Sequence, residues 1–352
     1  MALLSFKGVG ISAIAACVPK NKVNNLDLTE YFSPEAVQAI VEGTQVYERR
    51  QVSNEICSSD LAVAAAERLL LDNQIDKDEI GALIFVSQTP DYRMPATAFF
   101  IQKRLGLSQN VFAFDVNLAC AGFIQGLCLA FSLLQNAGIS KVLLLNGETR
   151  TKVYSRKDRR GAFLFGDAST ATMVERSDKF GCSHFSIGSD GGFADLVMIP
   201  GGGYRNPSSS ETLKEKIADS DGNIRCDEHS HMAGEDVASL FIRVMPKHIK
   251  SLLERTNTSM DSIDYFILHE GSNFLASFIK KKLKLPEHKT PSILSKYGNT
   301  SSASIPLNIV SELNSKLMGE KRLLLTALGA GMTWATAILD TKDMKVSDMV
   351  EL

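Results

Sequence analysis

Cys120 lies in Asn117-Leu-Ala-Cys-Ala-Gly-Phe123, after an apolar strand pattern and before Ile124 to Gln135, a helical stretch apolar on nearly every face. A thiol at a helix entrance meets unpaired N–H groups and the positive end of the helix dipole, which favour thiolate and suit a nucleophile. The competing role is a small core residue. His269 ends a second strand pattern and precedes Glu270-Gly271-Ser272-Asn273, so its imidazole projects above a sheet edge; alone it also suits a core. Asn299, in Tyr297-Gly-Asn-Thr-Ser-Ser-Ala-Ser304, stands at another helix entrance, where asparagine ordinarily caps. A buried strand running through Leu323 ends in Gly329-Ala330-Gly331, small residues that let backbone N–H groups approach a ligand oxygen. Cys226, His229 and His231 could be read as metal ligands, but their spacing fits no zinc pattern and a polar loop is the simpler reading.

These residues need a scaffold, and the chain alternates short β-branched runs with helical patterns, which argues an α/β layered fold. Ala82–Val86 is followed by a helix over Phe99–Leu105, a strand over Val111–Val116 and then the long apolar helix. The halves resemble one another. Asp78–Val86 is similar to Asp261–His269, and Phe100-Ile-Gln-Lys-Arg-Leu-Gly-Leu107 matches Phe278-Ile-Lys-Lys-Lys-Leu-Lys-Leu285 at five of eight positions. Two stretches in register suggest a duplication, with halves at residues 1–178 and 179–352. The Cys120 and Asn299 turns then face one centre, with His269 on a neighbouring strand. Between the halves, Gly188 to Met232 is loop-rich, either a flap over the site or a surface insertion.

Composition narrows the partners. The 352 residues carry 38 basic and 40 acidic side chains, a net charge of -2 without the footprint of a nucleic-acid binder. Six scattered cysteines, with no C-x-x-C pair, read as reduced thiols of a cytoplasmic protein. The longest apolar run, Gly8–Val18, has eleven residues, short of the roughly 20 needed to span a bilayer. Ile14-Ala15-Ala16-Cys17 has the look of a lipoprotein cleavage box, against which a first β-strand is the preferred reading.

Taken together the motifs resemble β-ketoacyl-[acyl-carrier-protein] synthase III, of the thiolase-like superfamily. The similarity covers nearly the whole chain. It rests on Glu48-Arg49-Arg50, Phe114-Asp115-Val116, Ala119-Cys-Ala-Gly-Phe123, Asp158-Arg159, Phe165-Gly-Asp167, Met232-Ala-Gly234, His269-Glu-Gly-Ser272, Gly298-Asn-Thr-Ser301 and Gly329-Ala-Gly-Met-Thr-Trp334. The resemblance implies a duplicated five-layered αβαβα body, a homodimer, and a condensing acyltransferase of fatty acid or specialised acyl-chain biosynthesis. Cys120 would take an acyl group from a coenzyme A or carrier-protein thioester. His269 and Asn299 would bind the carbonyl of malonyl-acyl-carrier protein, whose decarboxylation gives the attacking enolate. Backbone N–H groups of Cys120 and Ala330 would form the oxyanion hole. Gly234 and Ser272 would line the substrate path, Arg159 would contact coenzyme A, and no metal or redox cofactor is needed.

The departures from the family pattern are informative. The entrance Trp and Arg that sandwich adenine fall at Ala39 and Gly43, and the arginine used for carrier docking falls at Phe274. Lys281 and Lys282, in a Lys280-Lys281-Lys282 run, keep a basic patch for an acidic carrier protein. Met94 stands where a bulky aromatic closes the acyl pocket, and Ser272 replaces a second Asn. These changes point to a divergent member serving a specialised pathway. Three readings compete: acyl transfer from Cys120 to oxygen or nitrogen without condensation, a papain-type Cys-His-Asn hydrolase, and a non-catalytic scaffold of the same fold.

Overall fold

Two sheets share one plan. In the computed structural model, which describes residues 2–352, Val9–Val18 pairs antiparallel with Ala168–Arg176, that strand antiparallel with Lys141–Glu148, and that one parallel with Ile80–Val86. In the second sheet Cys182–Ser189, Thr333–Lys342, Glu320–Gly329 and Tyr265–Leu268 repeat the same order and directions. The sequence repeat is thus a structural repeat. Asp76 and Ser259 each accept an N–H two residues on, at 3.0 and 3.3 Å, and each opens a one-turn helix that feeds the parallel strand.

The sheet edges break the symmetry. Phe112–Val116 extends the first sheet beside Ile80–Val86, whereas the corresponding 290–293 segment contains Pro291, which lacks a ladder donor, and forms no strand. The ends of the chain cross over instead. Ala2–Lys7 joins the second sheet through Cys182–Ser189, and Lys345–Val346 and Val350–Glu351 join the first through Val9–Val18. Cys17 is buried in that last strand, as the strand reading expected.

Helices complete five layers. Ser58–Asp72 and Thr97–Leu105 cover the outer face of the first sheet, Gly234–Arg255 and Asn273–Leu283 that of the second. Gly122–Leu133 and Ser304–Glu312 lie between the sheets, which is why both are largely apolar and mostly buried. The first of these sits hard on its sheet: a Cβ at Gly122 would lie 2.7 Å from Val86 Cγ1. Among the described residues no helix is long and apolar enough to cross a membrane.

The matched helices end alike, in a left-handed residue whose successor returns its N–H to the last turn: Gly106 at φ 64° and Lys284 at φ 54°. Lysine bears the Cβ strain that glycine escapes. Lys284→Gly is therefore expected to raise stability by about 1 kcal/mol, read as a higher urea midpoint at unchanged m-value.

Candidate active site

The residues that could do chemistry converge on one cavity. Its volume is about 290 Å³, and Cys120, His269, Asn299, Gly329 and Ala330 all line it. Phe112–Val116 delivers the chain to the turn that carries Cys120, and Ala121 caps the Gly122–Leu133 helix. Cys120 is therefore just outside the first helical turn, next to the positive end of the helix dipole. Burial pushes the Cys120 thiol up, opposed by the Arg150 charge and by a hydrogen bond with Ser301. Glycine is required where the strand from the other half passes: a Cβ at Gly329 would lie 3.0 Å from both Cys120 N and Ala121 N.

His269 continues the Tyr265–Leu268 strand, donating its backbone N–H to Thr326 O at 2.8 Å. Its ring is buried with no partner on Nδ1. Burial pushes its pKa down to about 4 despite the neighbouring Glu270, so the imidazole is neutral near pH 7. Glu270 turns the other way, accepting the N–H groups of Ile293 and Leu294 at 2.7 and 3.1 Å, and so anchors the His269 turn to the short helix that leads to Asn299. Asn299 is stitched into the first half, donating its N–H to Leu164 O at 2.8 Å and accepting from Gly166 N at 3.2 Å. Its Oδ1 accepts from Ser301 N at 2.9 Å, which leaves Nδ2 as the atom available to a ligand oxygen.

Other expected residues divide. Gly234 and Ser272 line the cavity, and Ser272 Oγ also caps the Asn273–Leu283 helix through Leu275 N at 3.3 Å. Met94 is 78% exposed and does not line this cavity, so within one chain it closes no acyl pocket. Arg159 is also outside, donating to Asp221 O at 2.7 Å and packing on Phe32. Lys281 and Lys282 are exposed in the last turn of their helix, while Lys280 pairs with Glu287 at 2.9 Å. Phe274, at the start of the same helix, is 59% exposed and reaches the cavity rim.

The 188–232 region is built rather than loose. Val197–Met198 pairs with His231–Met232, Lys216–Ile217 with Ile224–Arg225, and Asp190 exchanges backbone hydrogen bonds with Met332 beside Ala330. Cys226 Sγ lies 3.2 Å from His229 Nδ1, but His231 Nδ1 faces Arg225 at 2.8 Å. Among the described residues no three His, Cys, Asp or Glu side chains converge to hold a metal ion.

Three residues escaped the sequence reading. Glu148 and Arg150 end the apolar Lys141–Glu148 strand and its exit, both buried, and Ser301 reaches Cys120 across the halves at 3.8 Å. The signal available was an acid and a base two apart after a run of leucines, where a buried strand has no need of charge.

A pH effect follows from the buried imidazoles. His248, bonded to Ser186 O at 3.0 Å, is also held at about 4 by burial. Folded pKa values below the ordinary 6.5 mean that the unfolded chain binds more protons between about pH 6.5 and 4. Stability present above pH 6.5 should then fall as pH drops through that window, on the order of 2–3 kcal/mol per histidine. Urea midpoints at pH 7 and pH 4.5 check it, and His248→Gln should remove part of the difference.

Comparisons with known proteins agree with this layout. Residues 114–191 match the family described as 3-oxoacyl-[acyl-carrier-protein (ACP)] synthase III, and residues 253–341 its C-terminal counterpart. The chain is 34% identical to a putative 3-oxoacyl-[acyl-carrier-protein] synthase 3 of Campylobacter jejuni, over 98% of this chain and 97% of that one. It is 33% identical to a β-ketoacyl-[acyl-carrier-protein] synthase III of Aliarcobacter butzleri, over 95% and 98%. The crystal structure of a 3-oxoacyl-(acyl-carrier protein) synthase from Burkholderia xenovorans superposes with a TM-score of 0.93 at 35% identity, covering 100% and 99% of the two chains. Xanthomonas campestris OleA, at 21% identity and a TM-score of 0.80, shares the fold. With a duplicated thiolase-like body, full-length relatives and the Cys, His and Asn turns around one cavity, the chain belongs to the 3-oxoacyl-[acyl-carrier-protein] synthase III family of condensing acyltransferases.

Proposed function

We propose that residues 1–178 supply the nucleophile Cys120 and residues 179–352 supply His269 and Asn299 for decarboxylative condensation with malonyl-acyl-carrier protein. Cys120 attacks an acyl thioester, and the backbone N–H groups of Cys120 and Ala330 hold the tetrahedral oxyanion. The donor thiol leaves. A malonyl thioester then places its carbonyl between His269 and Asn299 Nδ2. Both are neutral donors, so they stabilise the enolate as carbon dioxide departs without first neutralising the substrate carboxylate. The enolate carbon attacks the acyl-cysteine and releases the β-ketoacyl product. These steps require neither a metal nor a redox cofactor.

The observation that carries this reading is the shared lining of one cavity by Cys120, His269, Asn299 and Ala330. Gly234 and Ser272 line the same cavity, which supports their bordering the substrate's thioester arm. The exposed Lys281 and Lys282, with Phe274 at the other end of their helix, make a surface suited to an acidic carrier protein, whereas Arg159 is left for a coenzyme A contact at a distance from the chemistry. A homodimer would cover the free edge of Phe112–Val116, where Phe112 is 55% exposed, and Met94 belongs with such an interface. We place the enzyme in the cytoplasm.

Mass spectrometry of Cys120 after exposure to acyl-coenzyme A and acyl-carrier-protein thioesters of graded length identifies carrier and chain. Malonyl-carrier protein added next should release carbon dioxide and a β-ketoacyl product. Acylation without carbon dioxide release, and with transfer to a hydroxyl or amine, would establish simple acyl transfer instead.

A further inference from the structure

Glu148 is wholly buried at the end of its strand, where ionisation carries a heavy desolvation cost. Its carboxylate accepts from Gln88 N at 3.2 Å and from Thr89 Oγ1 at 3.1 Å, and the Ser301 hydroxyl is near enough to favour its charged form. Ser301 is held at φ 53° by its own N–H donating to Asn299 Oδ1, and its Oγ lies 3.8 Å from Cys120 Sγ. One hydroxyl therefore stands between the thiol and a buried carboxylate. Arg150, its guanidinium carbon 5.4 Å from the ring centroids of Tyr154 and Phe165, which stack on each other, supplies positive charge to both the thiol and the carboxylate.

We propose that Ser301 and Glu148 form a proton relay for Cys120, an inference that rests on Cys120 being the acyl acceptor. As the sulfur bonds to the acyl carbon, the thiol proton passes to Ser301 Oγ while the Ser301 proton passes to the Glu148 carboxylate. Collapse of the tetrahedral intermediate breaks the bond between the acyl carbon and the donor sulfur. The proton then returns from Glu148 through Ser301 to the departing thiolate. The balance is one acyl thioester and one cysteine thiol giving one S-acyl cysteine and one free thiol, with Glu148 restored. Ser301 touches the reacting sulfur, and Glu148 is a positioning residue that acts through it.

The electrostatics suit the task. Burial pushes Glu148 up to about 7, with Arg150 and its hydrogen-bond donors opposing, which places it where a proton acceptor works near neutrality. The charged and titratable groups that face it are Arg150 and, across Ser301, Cys120; His269 responds to Glu270 on its own side of the cavity. Above about pH 7 the carboxylate is free to accept a proton, and below it the relay is closed.

The test is the rate of Cys120 modification against pH, by an acyl thioester and separately by iodoacetamide. Glu148→Gln keeps the shape but not the proton acceptor, Ser301→Ala breaks the bridge, and Glu148→Asp keeps the acid. The first two are expected to slow acylation about 100-fold near neutrality and to remove the limb centred near pH 7. Asp should restore that limb in part, and Gln and Ala combined should cost no more than either alone, as members of one relay do. A wild-type profile in Glu148→Gln, or losses that multiply in the double variant, would overturn the relay. A variant that misfolds is replaced by the solvent isotope effect on the wild-type rate, where a linear proton inventory, with one proton in flight, also overturns it. If iodoacetamide shows the pH limb while no thioester acylates Cys120, the relay stands and the condensing reading fails.

Discussion

Asn299→Asp is expected to lower decarboxylative condensation by two to three orders of magnitude while Cys120 still takes up its acyl group. The substitution retains the oxygen that accepts from Ser301 N, so the turn and its ladder to Leu164 and Gly166 persist. It removes the Nδ2 donor and puts an anionic oxygen where the enolate charge develops. Losing one preorganised donor of this kind costs about 10²–10³ in rate, and the added repulsion pushes the same way. Carbon dioxide release from malonyl-carrier protein reports the loss, and the acyl mass increment on Cys120 reports the step that remains. Condensation within tenfold of wild type would show that Asn299 binds no developing charge.

Gly298→Ala should be the most damaging single methyl group for the fold. Gly298 has φ 64° and ψ -160°, a region open essentially to glycine. A Cβ there would also lie 2.4 Å from Leu164 O, the backbone atom that receives the Asn299 N–H. Neither strain can relax without moving the strand-like bridge between Phe165 and Asn299, which joins the halves beside the cavity. The expected loss is about 3 kcal/mol or more, seen as a lower urea midpoint. Gly43→Ala is the control: its Cβ would meet nothing within 4 Å inside the Pro34–Thr44 helix, and a gain of roughly 0.5–1 kcal/mol is expected. A Gly298→Ala protein as stable as wild type would contradict the account of this turn.

Much of the architecture was readable because it repeats locally. The capped turns before Ile80 and Tyr265 and the left-handed ends at Gly106 and Lys284 are short-range patterns, so matching segments betrayed the duplication. Cys120, His269 and Asn299 were readable too, each as a polar residue at the end of an apolar element. Where periodicity is absent, neighbouring residues no longer specify the local structure. Pro291 removes the strand that should mirror Phe112–Val116, and the 188–232 insertion is ordered by short ladders and by Asp190 on Met332.

By itself the sequence determined the α/β duplication, the three turns and the chemistry of their side chains, because element type and polarity are set by neighbours a few residues apart. Only the tertiary structure decided which terminus closes which sheet, that Met94 and Arg159 stand away from the cavity while Glu270 anchors its far wall, and that Ser301 meets Cys120 close to the buried Glu148. Those contacts join residues far apart in the chain, 181 positions for Cys120 and Ser301, and their partners are chosen by sheet packing and burial, to which no local periodicity is bound.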